Sequence, residues 1–142
     1  MTKIKIGIDP DLVKSGVAKA IDGKLIELQS LTFPELLEYA AKHKDALFVV
    51  ENVEYDKTTY FRPGTSPAVM RNIAQKVGQV KGTARQLLNC LEYMGCKVEK
   101  VRPLRGPVKA KAKRSASYFN QLTGWKGRTN EDKRDAALLV FG

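Results

Sequence analysis

The sequence predicts an α/β fold in which helices flank a mixed five-stranded sheet. Three short β-type segments follow one another closely at the amino terminus, which predicts an antiparallel meander. Two further strands then alternate with helical segments, which predicts parallel strands joined by helical crossovers. The length of 142 residues suits a single domain spanning residues 1–142.

Alternating apolar residues and a turn signal define the three amino-terminal strands. The segment from Lys3 to Asp9 alternates and is rich in isoleucine, which predicts the first strand. The second and third strands are predicted at Ser15 to Ala20 and Lys24 to Leu28. The pair Asp22-Gly23 between them favours a tight hairpin turn. We therefore expect these three strands to pair antiparallel.

The next helix and strand are marked by a cap and by a continuous apolar run. Thr32 is a helix cap and Pro34 lies in the first turn that follows it. The run from Leu47 to Val50 lacks polar alternation and ends at Glu51, which is typical of a central strand covered on both faces. A right-handed crossover places this fourth strand beside the first strand and parallel to it.

The remaining elements complete the predicted order β-β-β-α-β-α-β-α-α. A long helix opens at Ser66 and ends near Gly95, because its apolar residues recur every three or four positions. The fifth strand is predicted at Lys97 to Val101. Helices are predicted at Ser115 to Leu122 and from about Asn130 onward. No helix is predicted between the fifth strand and Ser115.

Positive charge is concentrated in the last third of the chain. The net charge is +10, and the stretch from Lys97 to Arg134 carries twelve basic residues against three acidic ones. An excess this uneven favours a nucleic-acid partner over a surface that is merely soluble. An anionic membrane surface is disfavoured because the stretch lacks a strong apolar face. The candidate nucleic-acid-binding residues are Arg102, Arg105, Lys109, Lys111, Lys113 and Arg114, with Tyr60 and Phe61 from the loop predicted between Tyr55 and Pro67.

Other classes of protein are disfavoured by what the sequence lacks. No apolar run approaches the roughly 20 residues that a membrane span requires, and the amino terminus has no secretory signal pattern. We therefore expect a cytoplasmic protein. The two cysteines, Cys90 and Cys96, have no metal-ligand spacing, so a zinc site is not predicted.

Four acidic residues are placed where they can converge. Asp9 closes the first strand and Glu51 closes the fourth, and ligands of open α/β sheets bind at the carboxyl ends of such strands. Asp135 heads the apolar stretch of the last helix, and Asp132 lies three residues earlier on the same helix face. Taken alone, Asp9 has the structural alternative of a turn residue, Glu51 that of a strand end entering solvent, and Asp132 that of an acid in the first helical turn, where Thr129 to Asp132 resembles a capping box. Asp135 is harder to explain structurally, because an acid that faces the core needs a partner.

Converging carboxylates repel one another and are stable together only around positive charge. Hard oxygen ligands favour Mg²⁺, with Mn²⁺ able to substitute. Two such ions about 4 Å apart can clamp the attacking and leaving oxygens of a phosphodiester. An acidic metal site within a basic surface therefore predicts a nuclease.

Four segments resemble, in the same order, the motifs of the RuvC-type Holliday junction resolvases. These segments are IGIDPDLVKSGVA, FVVENV, VGQVKGTARQLL and NEDKRDAALLV. The resemblance places Asp9, Glu51, Asp132 and Asp135 at the family's metal-ligand and catalytic positions. It implies a ribonuclease H-like fold, Mg²⁺ dependence and a homodimer that nicks a four-way DNA junction symmetrically, in a bacterial cell or a phage-infected host.

The chain departs from this family at one position and leaves several alternatives open. Members often carry an aromatic residue three positions after the second acid, where this chain has Glu54, so junction opening falls to Tyr60 or Phe61 or is absent. A sugar-kinase or actin-like ATPase needs two such domains, which this length does not supply. A nuclease for RNA/DNA hybrids and a non-catalytic binding module of the same fold remain alternatives. Gly78 and Gly82 indicate either a close partner contact or tight packing on the chain's own sheet.

Overall fold

The computed structural model describes residues 2–52 and 66–142, and within them the chain forms a five-stranded sheet flanked by five helices. Tyr60 and Phe61 lie outside the described residues. No helix in the described part of the chain is both long enough and apolar enough to cross a membrane. The strands are β1 Ile4–Asp9, β2 Ser15–Ile21, β3 Lys24–Leu31, β4 Leu47–Glu51 and β5 Lys97–Val101, and the helices are α1 Phe33–Lys42, α2 Pro67–Tyr93, α3 Pro107–Arg114, α4 Ala116–Thr123 and α5 Glu131–Leu138.

The strands lie in the order β3-β2-β1-β4-β5. β1 pairs antiparallel with β2, and β2 pairs antiparallel with β3. β4 pairs parallel with β1 on one side, with Ile8 opposite Val50, and parallel with β5 on the other. This arrangement confirms the predicted mixed sheet, including the predicted place of the fourth strand beside the first.

Apolar layers cover both faces of the sheet. On one face Phe48 and Val50 of β4 pack with Leu36 of α1 and Leu87 of α2. On the other face Val49 belongs to a cluster that includes residues of α4 and α5, among them Phe119, Ala136 and Ala137. The alternation within β4 sends its side chains to opposite layers, so its lack of polar residues reflects burial on both sides.

The predicted order of elements is wrong in one respect, because α3 is a helix that the sequence analysis leaves out. Its segment is rich in lysine and alanine, which are good helix formers, and Pro107 occupies the first helical turn. Only Ala112 of this helix is buried. A single buried position gives no apolar periodicity, so this helix lacks the pattern that identified the others.

The start of α5 also differs from the interpretation that it begins with a capping box from Thr129 to Asp132. The cap is Asn130, whose Oδ1 accepts a hydrogen bond from the backbone N–H of Lys133 at 2.8 Å. Thr129 Oγ1 instead accepts a hydrogen bond from Arg134 at 2.8 Å. The cap at Asn130 places Glu131 and Asp132 in the first turn of α5.

Candidate active site

Two of the four predicted acids stand at the carboxyl ends of neighbouring strands. Asp9 is the last residue of β1 and Glu51 is the last residue of β4. The parallel register that pairs Ile8 with Val50 makes them the next residues at that edge. The side chain of Glu51 is held by the backbone, because its Oε1 accepts a hydrogen bond from the N–H of Leu104 at 3.4 Å. Strand geometry therefore brings Asp9 and Glu51 together, as the sequence predicts.

The other two acids reach this edge because α5 lies directly on the backbone of β1 and β2. A Cβ atom added to Gly7 would overlap the carbonyl oxygen of Ala136, and one added to Gly16 would overlap the backbone of Asp132. Glycine at these two positions thus permits an approach that any side chain prevents. The close approach carries Asp132 and Asp135 to the sheet edge where Asp9 ends β1.

The Asp9 carboxyl is the centre of the cluster. Its pKa is raised from 3.8 to about 8, first by burial and then by the negative charges of Asp135, Asp132 and Glu51. A side-chain hydrogen bond with Asp132 adds to the rise in the pKa. All three of the other predicted acids therefore act on Asp9, and the group resists ionisation unless positive charge is supplied.

A fifth acid, Asp11, joins this cluster, although the sequence analysis does not select it. Burial raises the pKa of Asp132, and the charge of Asp11 and a side-chain hydrogen bond with it raise that pKa further. Asp11 is held in a turn, where its Oδ1 accepts from the N–H of Leu12 at 2.7 Å and its own N–H donates to Ser15 Oγ at 3.1 Å. The available signal was an acid two residues after the strand-ending Asp9.

Asp135 is largely shielded from solvent and contacts two lysines of α3. Lys109 Nζ lies 3.2 Å from its Oδ1, and Lys113 Nζ lies 2.9 Å from its Oδ2. The hydrogen bond to Asp135 raises the pKa of Lys113. The contact with Lys109 is an ion pair without hydrogen-bond geometry, so among the described residues the buried Oδ1 has no hydrogen-bond donor. Two candidate nucleic-acid-binding lysines thus face the acidic cluster.

The remaining basic candidates lie on the surface. Arg102, Arg105, Lys111 and Arg114 are exposed. The ammonium of Lys111 stands over the ring of Tyr118, 4.6 Å from its centre. These four positions suit contacts with a phosphate backbone, whereas Lys109 and Lys113 are directed toward Asp135.

Arg134 belongs to the interior although it is one of the twelve basic residues counted in the sequence. It is 6% exposed. Its Nε donates to the carbonyl oxygen of Lys113 at 2.7 Å, and its second hydrogen bond goes to Thr129. Arg134 therefore links the end of α3 to the start of α5, and its charge is not available on the surface.

The side chains of the four predicted acids are of the chemical type that binds a divalent cation. They offer only oxygen ligands, they converge on a buried carboxyl, and Asp135 Oδ1 retains an unused acceptor position. Within residues 2–52 and 66–142, however, no three acidic, histidine or cysteine side chains already stand in a geometry that would hold a metal ion.

The sheet order and the helices on both faces define a ribonuclease H-like fold, and two solved structures of RuvC share it. The structure titled T. thermophilus RuvC in complex with Holliday junction substrate has 17% sequence identity and a TM-score of 0.58, with 97% of this chain and 90% of that chain covered. A second Thermus thermophilus RuvC structure has 16% identity and a TM-score of 0.55, with 99% and 91% covered. Neither a protein-family model nor a curated protein sequence matches the chain. At these identities the shared property is the fold, which confirms the fold that the motif resemblance implied.

Proposed function

We propose that this protein is a metal-dependent endonuclease that resolves four-way or otherwise branched DNA in the cytoplasm. The observation that carries the proposal is that β1 and β4 place Asp9 and Glu51 at one edge of the sheet, to which the packing of α5 on Gly7 and Gly16 brings Asp132 and Asp135. A fold by itself does not define an activity, so the proposal depends on this site and on the basic residues around it. The T. thermophilus RuvC structure with a Holliday junction substrate supports branched DNA as the substrate class.

Asp9, Glu51, Asp132 and Asp135 are the residues that would hold Mg²⁺, with Mn²⁺ able to substitute. When bound, such ions activate a water molecule and neutralise charge on the scissile phosphate. The protein's own contribution is to keep the four carboxylates at one edge and partly shielded from water. The negative charges that raise the pKa of Asp9 would attract a cation, and a bound cation would in turn favour the ionised form of Asp9.

The basic residues of the last third of the chain would hold the DNA backbone. The exposed guanidinium groups of Arg102, Arg105 and Arg114 and the ammonium group of Lys111 can bind backbone phosphates. Lys109 and Lys113 lie close enough to Asp135 to contact a phosphate at the cluster itself. Tyr60 and Phe61 remain the proposed aromatic contacts to an opened junction.

The proposed active form is a homodimer that meets through α2. No described atom comes within 4 Å of a Cβ added at Gly78 or Gly82, so nothing in the described residues supports the alternative that these glycines pack on the chain's own sheet. The two glycines are four residues apart on the 27-residue helix α2, and their lack of side chains allows the close approach of a second helix. A two-fold dimer supplies two sites in the matching orientation that symmetric nicking of a junction requires.

The decisive experiment is a cleavage assay on four-way, flapped and RNA/DNA hybrid substrates, with and without Mg²⁺. Asp9→Asn, Glu51→Gln and Asp135→Asn are each expected to abolish cleavage and to leave DNA binding largely intact. Asp132→Asn is expected to be severe and Glu131→Gln mild. The matched control is Asp45→Asn, which changes an exposed carboxylate near the amino end of β4.

The outcomes separate the alternatives. Preferred cleavage of the hybrid indicates a ribonuclease H activity, and DNA binding without cleavage under any metal condition indicates a binding module. Sedimentation of the protein alone and on the junction tests the dimer. A protein that stays monomeric on the junction, or that linear duplex of equal length competes away on equal terms, is not a symmetric resolvase.

A further inference from the structure

Both carboxylate oxygens of Asp135 are already in contact with cations of the chain itself. The ammonium group of Lys109 contacts Oδ1 and that of Lys113 contacts Oδ2. The two lysines are four residues apart on one face of α3. The Asp135 side chain is 12% exposed, and those of Lys109 and Lys113 are 22% and 38% exposed. Both ion pairs are thus partly shielded from water. An ion pair in such a position is stronger than one on an open surface.

The lysines are held in this position by buried contacts of their helix. Ala112 lies between them in sequence and is fully buried in the apolar layer that also contains Ala136. The buried Arg134 caps the end of α3 by donating to the carbonyl oxygen of Lys113 at 2.7 Å. Since Arg134 directly precedes Asp135, this bond fixes α3 against the backbone that carries the acid.

We propose that Lys109 and Lys113 form a lysine clamp, which competes with divalent metal for Asp135 and thereby weakens metal binding at the acidic cluster. This inference rests on the proposed function. The clamp supplies two positive charges to a cluster of five acidic residues, which reduces the repulsion among them when no metal ion is bound. A metal ion that binds Asp135 must either displace an ammonium group or share the carboxylate with both of them against their charge repulsion, so the affinity for metal is lower than the carboxylates alone would give.

The test measures Mn²⁺ binding to the free protein, without DNA, by titration calorimetry and by the electron paramagnetic resonance of unbound Mn²⁺. The variants are Lys109→Met, Lys113→Met and the double variant, because methionine keeps the length and helix propensity of lysine without its charge. Lys111→Met is the matched control. It removes the same charge from the same helix, but its ammonium group contacts Tyr118 and not Asp135.

The double variant is expected to bind Mn²⁺ roughly ten-fold more tightly than the wild type, which corresponds to about 1.4 kcal/mol. Each single variant is expected to gain roughly three-fold. In Lys111→Met the affinity should change less than about two-fold, since long-range charge is screened by salt. The thermal midpoint without metal should fall in the double variant, and added Mn²⁺ should raise it further than in the wild type.

The two possible failures are distinguishable. If wild type and double variant bind Mn²⁺ with equal affinity, or if Lys111→Met gains as much as Lys109→Met, the clamp is overturned while the metal-dependent nuclease stands. If neither the wild type nor any variant binds Mn²⁺, the metal site itself is overturned and the clamp with it. Should the double variant not fold, the same comparison is decided by the two single variants against Lys111→Met.

Discussion

Replacing Asp9 with asparagine is expected to stabilise the protein in the absence of metal, although it removes a proposed metal ligand. Asparagine has almost the same shape as the neutral carboxyl but carries no charge at any pH. In the wild type the ionised Asp9 is buried and faces the charges of Asp135, Asp132 and Glu51. The variant removes that repulsion from the centre of the cluster.

The size of the effect follows from the pKa. A carboxyl whose pKa rises from 3.8 in the unfolded chain to about 8 in the fold contributes stability that is present in full below pH 3.8 and is lost as the pH rises through 8. At about 1.4 kcal/mol per pH unit, the loss over this interval has an upper bound near 6 kcal/mol. Side-chain rearrangement and water entry reduce it, so we expect Asp9→Asn to gain roughly 2 to 4 kcal/mol at pH 8 and almost nothing at pH 4.

The assay is urea unfolding in chelator at pH 4, 6 and 8, followed by the fluorescence of the single tryptophan, Trp125. Asp45→Asn, which changes an exposed carboxylate near the amino end of β4, is the control. In Mg²⁺ the stability advantage of the variant should shrink, because an ion present at about 100 times its Kd adds about 2.7 kcal/mol to the wild type and less to the variant. A variant that is less stable than the wild type at pH 8, or a difference that does not change with pH, refutes this reasoning.

Three further predictions test how the site is held and what surrounds it. Gly16→Ala is expected to destabilise the fold by about 1 to 3 kcal/mol, because the added Cβ would overlap the backbone of Asp132 in α5. Gly82→Ala lies on an open face of α2 and should stabilise the monomer by up to about 1 kcal/mol. Unfolding in urea at low protein concentration measures both changes in stability. Arg134→Met is expected to cost roughly 2 to 4 kcal/mol in the same measurement, because it leaves the acceptors of two partly buried, charge-assisted hydrogen bonds without that donor. A loss under about 1 kcal/mol would mean that α3 and α5 are joined by other contacts. DNA affinity is expected to fall with salt at a log–log slope of roughly −0.9 per neutralised phosphate, and an affinity that is unchanged from low to physiological salt contradicts the nucleic-acid function.

The order of the strands could be predicted because local patterns carry it. Alternating or continuous apolar residues mark each strand, Asp22-Gly23 predicts the hairpin between β2 and β3, and the right-handed crossover rule places β4 beside β1. Once β1 and β4 are parallel neighbours, Asp9 and Glu51 must share an edge. This part of the candidate site therefore follows from the sequence.

The helix α3 and the partners of its side chains could not be predicted in this way. Lysine is compatible with a phosphate-binding surface or with a buried carboxylate, and the charge pattern is the same in both cases. Lys109 and Lys113 meet Asp135 only because α3 packs against α5, elements that are separated in sequence by α4. The same holds for Arg134, which counts as surface charge in the sequence and is buried in the fold.

The sequence by itself determined the sheet, its helical crossovers and the strand ends that carry Asp9 and Glu51, because these depend on periodicity within each segment. Only the tertiary structure decided that α5 lies on Gly7 and Gly16 and that Asp11 joins the acidic cluster. It also decided that Lys109 and Lys113 form ion pairs with the carboxylate of Asp135. The physical reason is that the pKa and the partners of an acid depend on which distant backbone approaches it, and that approach is a property of packing.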